Sequence, residues 1–385
     1  MQGDGPALHE APQDMPALSA SAFADPNDLG PFLQYMVQSQ ASDLFLTVGA
    51  PPALKIHGQV RPMALPALQP SQAKTLAYSV MRESQMREFE STLECDLAAN
   101  VGALGRFRFN VYMQRGEVAM VTRHISADIP GIEALHLPPV LKDLVRLKRG
   151  LVLVVGAAGS GKSTTLASML DWRNSMERGH ILTIEDPIEF VHRHKQSLID
   201  QREVGLDTHS FEEALRHAMR EAPDVIMIGE IRDELTMRHA MAYAETGHLC
   251  VSTLHANNAN QAIERVLNLF PEASRRRALM DLSLNLKGVV AQRLIKGRLG
   301  QLVPAVEVLL QSPYISDLIL KGQVDQIKPA MAKSTDLGMQ TFDQSLYELF
   351  VAGHITLEQA LDNADSKTDL SLRVRLAPER GPAPG

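Results

Sequence analysis

Residues 156–163 read Gly156-Ala157-Ala158-Gly159-Ser160-Gly161-Lys162-Ser163 and match the pattern GxxxxGK[ST]. The apolar run 151–155 before them predicts a short buried strand, and residues 164–172 after them predict a helix. Glycines let such a turn fold around an anion, with the backbone N–H groups of the loop and the helix N-terminus facing it. We therefore predict that these residues and Thr164 bind nucleotide phosphates, with Lys162 on the β- and γ-phosphates and Ser163 on Mg²⁺. A chance glycine-rich turn is the alternative.

The composition is that of an ordinary globular chain. It has 385 residues, of which 45% are hydrophobic and 22% charged, so two or three domains are expected. The net charge of −7 argues against a dedicated nucleic-acid binder. Two cysteines, Cys95 and Cys250, exclude a disulfide framework and a four-cysteine zinc module, and they favour the cytosol. No Lys or Arg precedes Lys55 and no apolar run approaches the ~18 residues of a bilayer span, so neither a signal peptide nor a membrane helix is predicted.

The chain divides into five segments by composition and periodicity. Residues 1–28 and 366–385 are predicted to be flexible tails, because both are poor in periodic apolar residues. Residues 29–128 mix strands and helices and predict a small α+β domain, and residues 129–148 a linker that contains a short helix. Residues 149–365 alternate strands and helices, which predicts an α/β domain around a mostly parallel sheet, followed by helices. Its predicted strands are 151–155, 181–184, 225–228, 249–253 and 303–309.

Several helix starts are also predicted from capping residues. Residues 71–91 predict a single helix with Ser71 as its cap. Ser210 begins a capping-box pattern, and Asp233 and Asn257 are further predicted caps.

Two apolar strands end in carboxylates downstream of the glycine-rich loop. Residues 183–189 place Glu185 in an acidic cluster, and residues 222–230 place Glu230 at the end of an apolar strand, as in a Walker B element. Open parallel sheets hold their ligands at the carboxyl ends of the strands, so both carboxylates are expected near the loop. There they would contact Mg²⁺ or polarise the attacking water. The alternatives are a solvated acidic turn for Glu185 and a surface residue for Glu230.

Further candidates are a histidine and a group of arginines. His255 follows the strand 249–253 and is predicted to sense or stabilise the γ-phosphate, although a lone histidine is more often structural. The hairpin 106–125 carries four arginines, and guanidinium groups pair bidentately with phosphate oxygens. They are either arginines supplied to a neighbouring subunit's nucleotide or a solvated basic face. These four are Arg106, Arg108, Arg115 and Arg123.

Four stretches occur in the order 156–163, 185–189, 224–230 and 248–255. Together they resemble the secretion ATPase superfamily, the hexameric motors of type II secretion and type IV pili. The strings TIEDPIEF (183–190), GEIRD (229–233) and TGHLCVSTLHA (246–256) are more specific to it than the loop. SDLFLTVGAPP (42–52) and GRFRFNVYMQRGE (105–117) look like the PAS-like domain of its pilus retraction branch, PilT and PilU. The absence of a four-cysteine zinc element also favours that branch. Residues 314–319 carry Ser316 and Asp317 where PilT has Arg and Asn, which resembles PilU.

This resemblance, which runs from about Pro31 to His354, implies a PAS-like α+β domain followed by a RecA-like ATPase domain with C-terminal helices. It implies an ATP- and Mg²⁺-dependent motor that forms a homohexamer. By the same resemblance, Lys162 and Ser163 are expected to bind phosphate and Mg²⁺, Glu185 and Glu230 to act in catalysis and at the metal, and His255 to belong to the histidine box. Arg108 and Arg123 match positions that approach the nucleotide of an adjacent subunit.

The implied role is pilus retraction from the cytoplasmic side of the inner membrane, with an inner-membrane platform protein and PilT as partners and no nucleic acid. A nucleic-acid translocase on the same core and a non-catalytic ring scaffold are the competing hypotheses. The net charge and the lack of a Lys/Arg-rich stretch weigh against the first. Intact Lys162, Glu185 and Glu230 weigh against the second.

Overall fold

The structure is a computed structural model that describes Phe23 and residues 25–376. The chain forms two compact units, Met1–Ala127 and Asp128–Gly385. The first 22 residues of the predicted N-terminal tail, Ala24 and residues 377–385 of the predicted C-terminal tail lie outside the described residues. As predicted, the fold is mixed α/β.

The described part of the first unit is an antiparallel sheet with helices packed on it. The strands follow the order β3-β2-β1-β6-β5-β4 across the sheet. Alternating apolar side chains such as Phe107, Phe109 and Val111 face the core, as period-two sequence predicts. The elements are α1 (Gly30–Gln38), β1 (Asp43–Thr47), β2 (Ala53–Ile56), β3 (Gln59–Pro62), α2 (Pro70–Tyr78), α3 (Glu83–Thr92), β4 (Glu94–Asn100), β5 (Arg106–Gln114) and β6 (Glu117–Ile125).

The second unit is built on a seven-stranded sheet with helices around it. The strand order is β13-β12-β7-β11-β10-β8-β9, parallel except for the antiparallel pair β12–β13. Its strands are β7 (Gly150–Val155), β8 (His180–Glu185), β9 (Leu198–Glu203), β10 (Val225–Ile228), β11 (Leu249–Leu254), β12 (Leu286–Lys296) and β13 (Leu302–Leu310). Its helices are α4 (Val140–Arg146), α5 (Lys162–Met176), α6 (Phe211–Ala218), α7 (Glu234–Glu245), α8 (Ala259–Leu269), α9 (Glu272–Asn285), α10 (Pro313–Leu320), α11 (Ile327–Ala332), α12 (Phe342–Val351), α13 (Leu357–Asn363) and α14 (Lys367–Leu376).

The central strands β7, β10 and β11 are buried along their whole length. Continuous apolar runs are typical of strands covered on both faces, which is why the sequence predicts them well. Since β7, β8, β10 and β11 are parallel, their carboxyl ends meet at one edge of the sheet. The glycine-rich loop and the residues after β8, β10 and β11 therefore lie at the same edge.

Four sequence predictions are wrong in detail. The single helix predicted for residues 71–91 is two helices, α2 and α3, because the Gln85 side chain bonds to the Arg82 N–H and starts a second helix. Gln69, not Ser71, caps α2, since Pro70 already occupies its first turn. Asn258, not Asn257, caps α8, because the Asn258 carboxamide accepts the Gln261 N–H. Part of the predicted C-terminal tail is the helix α14.

That helix forms because the tail carries one buried apolar residue and one aromatic contact. Leu370 is buried in the core of the second unit. The guanidinium of Arg373 lies 4.5 Å from the centre of the Tyr347 ring on α12.

At the other end of the chain, Phe23 of the predicted N-terminal tail packs edge-on against Phe32 and Tyr35. The caps at Ser210 and Asp233 are as predicted.

Candidate nucleotide site

The glycine-rich loop connects β7 to α5 in the centre of the sheet. Gly161 has φ = 85°, a backbone region that favours glycine. A Cβ atom at Gly161 would lie 2.7 Å from Nε2 of Gln292, and one at Gly156 would lie 2.6 Å from the Gln292 carbonyl oxygen. The loop therefore needs glycine at both positions, because β12 lies directly against its backbone.

Lys162 begins α5 and is buried inside the loop. Its Nζ donates to the carbonyl oxygens of Gly156 at 3.0 Å and Ala157 at 2.8 Å. Burial lowers the pKa of the ammonium, and the Glu230 carboxylate partly opposes that shift. Within the described residues, the buried Ser160 hydroxyl has no hydrogen-bond partner. A phosphate group would fit between the Lys162 ammonium and the Ser160 hydroxyl, since its oxygens would accept hydrogen bonds from both.

A cavity of about 200 Å³ opens beside the loop at the carboxyl edge of the sheet. It brings together five of the predicted site residues, which are Lys162, Ser163, Glu185, Glu230 and His255. Over Phe23 and residues 25–376, no three His, Cys, Asp or Glu side chains form a group that could hold a metal ion. Mg²⁺ bound with nucleotides usually takes only one or two ligands from the protein and the rest from phosphates and water, so such a group is not required for it.

Glu185 ends β8 as a buried carboxylate. Its Oε1 accepts from the Thr183 hydroxyl at 2.7 Å and from Nε2 of Gln201 at 3.1 Å. Burial raises the pKa of Glu185, and these two hydrogen bonds oppose the shift. Gln201 also bonds to the backbone of Phe190 and His192, so it ties the loop after β8 to the carboxylate.

Glu230 follows β10 and is held on both oxygens. Its Oε1 lies 3.0 Å from Nε2 of His255, and its Oε2 accepts from Nε of Arg232 at 2.8 Å. The Thr253 hydroxyl donates to the Gly229 carbonyl at 2.6 Å, which fastens the end of β11 to the residue before Glu230. The carboxylate therefore enters the cavity in a fixed orientation, with a histidine and an arginine beside it.

Three residues that shape the site were missed by sequence reasoning. Arg232 could have been found, because it lies in the GEIRD string, two residues after Glu230. Gln201 and Gln292 carried no signal, since each comes from a strand that the sequence pattern did not predict, β9 and β12.

A second cavity, of about 220 Å³, lies beside the end of the loop. Apolar side chains of Leu137, Leu294 and Pro304 line it together with Gly161 and Thr164. It therefore combines an apolar wall with the first turn of the loop helix. A flat apolar group attached to a phosphate bound in the loop would fit there.

The candidate arginines lie in the first unit, where Arg108 on β5 is paired with Arg123 on β6. Arg123 is an ion-pair partner of the buried Asp43, with Nη2 2.8 Å from Oδ1. Over the part of the chain that the structure describes, no carboxylate forms an ion pair with Arg108. The two arginines therefore differ, since one is already engaged within its own unit.

Within Phe23 and residues 25–376, no helix has both the length and the apolar character to cross a membrane.

The chain is similar to known proteins over most of its length. Residues 28–305 match the family described as type II/IV secretion system protein. The chain is 51% identical over 352 residues to the type IV pilus ATPase PilU of Pseudomonas aeruginosa, covering 90% of this chain and 91% of that protein. It is 43% identical over 337 residues to the type IV pilus retraction ATPase PilT of the same species, covering 88% and 98%.

A solved structure of the pilus retraction motor PilT with bound ADP also matches. Its TM-score is 0.82 at 42% identity, and the match covers 89% of this chain and 98% of that one.

Proposed function

The chain belongs to the type II/IV secretion system protein family and, within it, to the PilT/PilU ATPases of type IV pili, and on that premise we propose that it is a motor that couples ATP hydrolysis to pilus retraction and twitching motility. The observation that carries the proposal is the cavity shared by Lys162, Ser163, Glu185, Glu230 and His255. It combines a phosphate cradle with carboxylates that can position water.

Each residue of the cavity has a separate proposed role in ATP hydrolysis. Lys162 would exchange its loop carbonyls for the β- and γ-phosphate oxygens and neutralise their charge. Glu230, oriented by His255 and Arg232, would accept a hydrogen bond from the attacking water and hold it in line. Glu185, at the end of the neighbouring strand β8, would contact Mg²⁺ or help to polarise the attacking water. Mg²⁺ carried by the nucleotide would offset phosphate charge, with Ser163, Glu185 and Glu230 as its protein contacts.

The apolar cavity beside Thr164 is the proposed place of the adenine base. Its lining by Leu137, Leu294 and Pro304 suits a flat aromatic ring, and it adjoins the helix start where the α- and β-phosphates would lie. Together the two cavities would accommodate ATP from base to γ-phosphate.

The proposed assembly is a homohexamer, in which a RecA-like second unit binds ATP and a PAS-like first unit supplies arginine to a neighbour. The six-stranded antiparallel sheet with packed helices supports the PAS-like assignment. We further propose that the ring works in the cytoplasm at the pilus base, on an inner-membrane platform protein and together with PilT. The 51% identity to PilU supports the PilU-like role.

Phosphate release by the purified protein, with Lys162→Ala as the matched variant, tests the enzyme assignment. We expect hydrolysis by the wild type and its loss in the variant. Adding PilT should raise the rate above the sum of the separate proteins if the two form one machine. Stimulation by DNA, with a steep dependence on salt, would instead indicate a nucleic-acid translocase.

A further inference from the structure

The strand β12 reaches beyond the end of its neighbour β7. The two strands are parallel, and the last residue of β7, Val155, pairs with Ala291. The next residue of β12, Gln292, therefore lies beside Gly156, the first residue of the glycine-rich loop. Because β12 continues to Lys296, the loop rests on a regular strand, not on another loop.

The side chain of Gln292 is buried against the end of the loop, where α5 begins. It is 3% exposed. The Thr165 hydroxyl, on the first turn of α5, donates to its Oε1 at 2.6 Å. Its Nε2 lies so near Gly161 that a Cβ atom there would be 2.7 Å away. The side-chain amide of Gln292 thus contacts the start of α5. The backbone carbonyl of the same residue contacts the start of the loop at Gly156.

The other face of β12 anchors this amide to the rest of the unit. Side chains alternate along a strand, so Arg293 points away from the loop. Its Nη1 lies 2.8 Å from Oδ1 of Asp365 and donates to the Asn363 carbonyl at 3.1 Å. Its guanidinium also lies 3.9 Å from the centre of the Phe342 ring. These contacts of Arg293 with the C-terminal helices therefore fix the position of β12, and with it that of Gln292.

From these contacts we propose that Gln292 is a positioning residue for ATP binding, which acts by holding the phosphate loop in its anion-binding conformation. The inference rests on the proposed function of that loop. The backbone N–H groups of the loop converge on a phosphate only while Gly156 and Gly161 keep their separation. Gln292 contacts both glycines and fixes the α5 start through Thr165.

This role differs from that of a glutamine that touches the base. A residue that shapes the loop affects every ligand with phosphates, including tripolyphosphate, which has no base or ribose. A residue that reads the base affects ATP and ADP alone. Comparison of the three ligands therefore separates the two roles.

The experiment measures the dissociation constants of ATP, ADP and tripolyphosphate for the full chain and for Gln292→Ala. We expect all three to bind about 10-fold more weakly, because the buried hydrogen bond from Thr165 and the side-chain contact with Gly161 are both lost. The kcat at saturating ATP should change less than about 3-fold, since the loop binds ground state and transition state alike. Gln340→Ala is the matched control, because the Gln340 side chain is also a partly buried amide but donates to the Val306 carbonyl on β13, so the affinities of this variant should equal those of the wild type.

Two further variants keep the test decisive. Gln292→Met retains the volume without the hydrogen bond and should weaken binding in the same way, even if Gln292→Ala folds poorly. Thr165→Val should weaken binding by about 3-fold alone and add nothing to Gln292→Ala, because both remove one interaction.

Unchanged binding in both Gln292 variants, or a loss for ATP and ADP but not for tripolyphosphate, would overturn the inference and leave the proposed function standing. Failure of the wild type to bind any of the three ligands would overturn both.

Discussion

Nε2 of His255 lies 3.0 Å from Oε1 of Glu230, so the side chains that follow β11 and β10 are directly paired. The second oxygen of Glu230 is held by Arg232 at 2.8 Å. A carboxylate held on both oxygens has few orientations to sample. The pairing therefore makes His255 and Glu230 one structural unit, although 25 positions separate them in the sequence.

Replacement of Glu230 by Gln should separate nucleotide binding from hydrolysis. Glutamine keeps the shape and a contact with Arg232, but it is far less basic toward the attacking water. We expect the ATP affinity to stay within a few-fold of the wild type while kcat falls by about 10²-fold or more. Equilibrium binding of a fluorescent ATP analogue and phosphate release measure the two quantities. A loss of ATP affinity as severe as that of Lys162→Ala would show that the assigned role is wrong.

Replacement of His255 by Ala should act through Glu230. The histidine side chain is half exposed, so its removal should leave stability nearly unchanged while kcat falls by about 10-fold through misorientation of the carboxylate. In the double variant with Glu230→Gln, the second change should add little, because the two residues share one interaction. Fully additive losses in kcat would instead mean that His255 acts independently.

Much of this site could be predicted from sequence because its parts belong to long, buried, parallel strands. Lys162, Glu185, Glu230 and His255 each lie at or after the end of a strand that is rich in apolar residues, and the carboxyl ends of parallel strands meet in space. Their convergence on one cavity agrees with that reasoning. Their catalytic roles remain predictions.

The remaining parts could not be predicted because they depend on register and not on pattern. Gln292 lies against Gly156 only because β12 pairs with β7 through Ala291 and Val155. The Asp43–Arg123 ion pair joins residues 80 positions apart through the pairing of β1 with β6. Local periodicity carries no information about such pairings.

The two hairpin arginines should have different effects on stability. Arg123→Ala leaves the Asp43 carboxylate, which is 5% exposed, without its ion-pair partner, so the free energy of unfolding should fall by about 1–3 kcal/mol. Arg108→Ala should change it by less than about 0.5 kcal/mol. Urea unfolding of both variants measures this. Equal destabilisation would mean that the Asp43 pair contributes nothing of its own.

Arg108 should then be the arginine that acts on a neighbouring subunit. An arginine supplied in trans contributes about 10³-fold or more to the rate. Mixed rings of Arg108→Ala and Lys162→Ala subunits should recover hydrolysis, because some sites combine an intact arginine with an intact loop. Native mass spectrometry confirms the mixing. Mixed rings that stay inactive, or full activity of Arg108→Ala alone, would return Arg108 to a solvated basic face.

The second unit should lose stability in mild acid through His192. Burial lowers the pKa of His192 from 6.5 to about 4. The unfolded chain therefore binds the proton more readily, and stability falls as the pH drops from 6.5 toward 4. At pH 5 the loss should be about 2 kcal/mol for this residue.

His192→Phe should remove that part of the pH dependence, because the buried Nδ1 of His192 has no hydrogen-bond partner among the described residues. His217→Gln, at an exposed position, is the control. Urea unfolding at pH 7 and pH 5 measures the difference. The same pH dependence in His192→Phe and in the wild type would refute the assignment.

The proposal that hydrolysis at this site powers retraction is tested most directly in living cells. A strain that lacks this gene would be complemented with the wild type or with Glu230→Gln at matched protein levels, and retraction of labelled pili would be recorded. We expect the wild type to restore retraction and twitching, and Glu230→Gln to restore neither, although it still binds ATP. Restoration of normal retraction by Glu230→Gln, with its ATPase activity shown to be lost, would contradict a motor driven by hydrolysis in this chain.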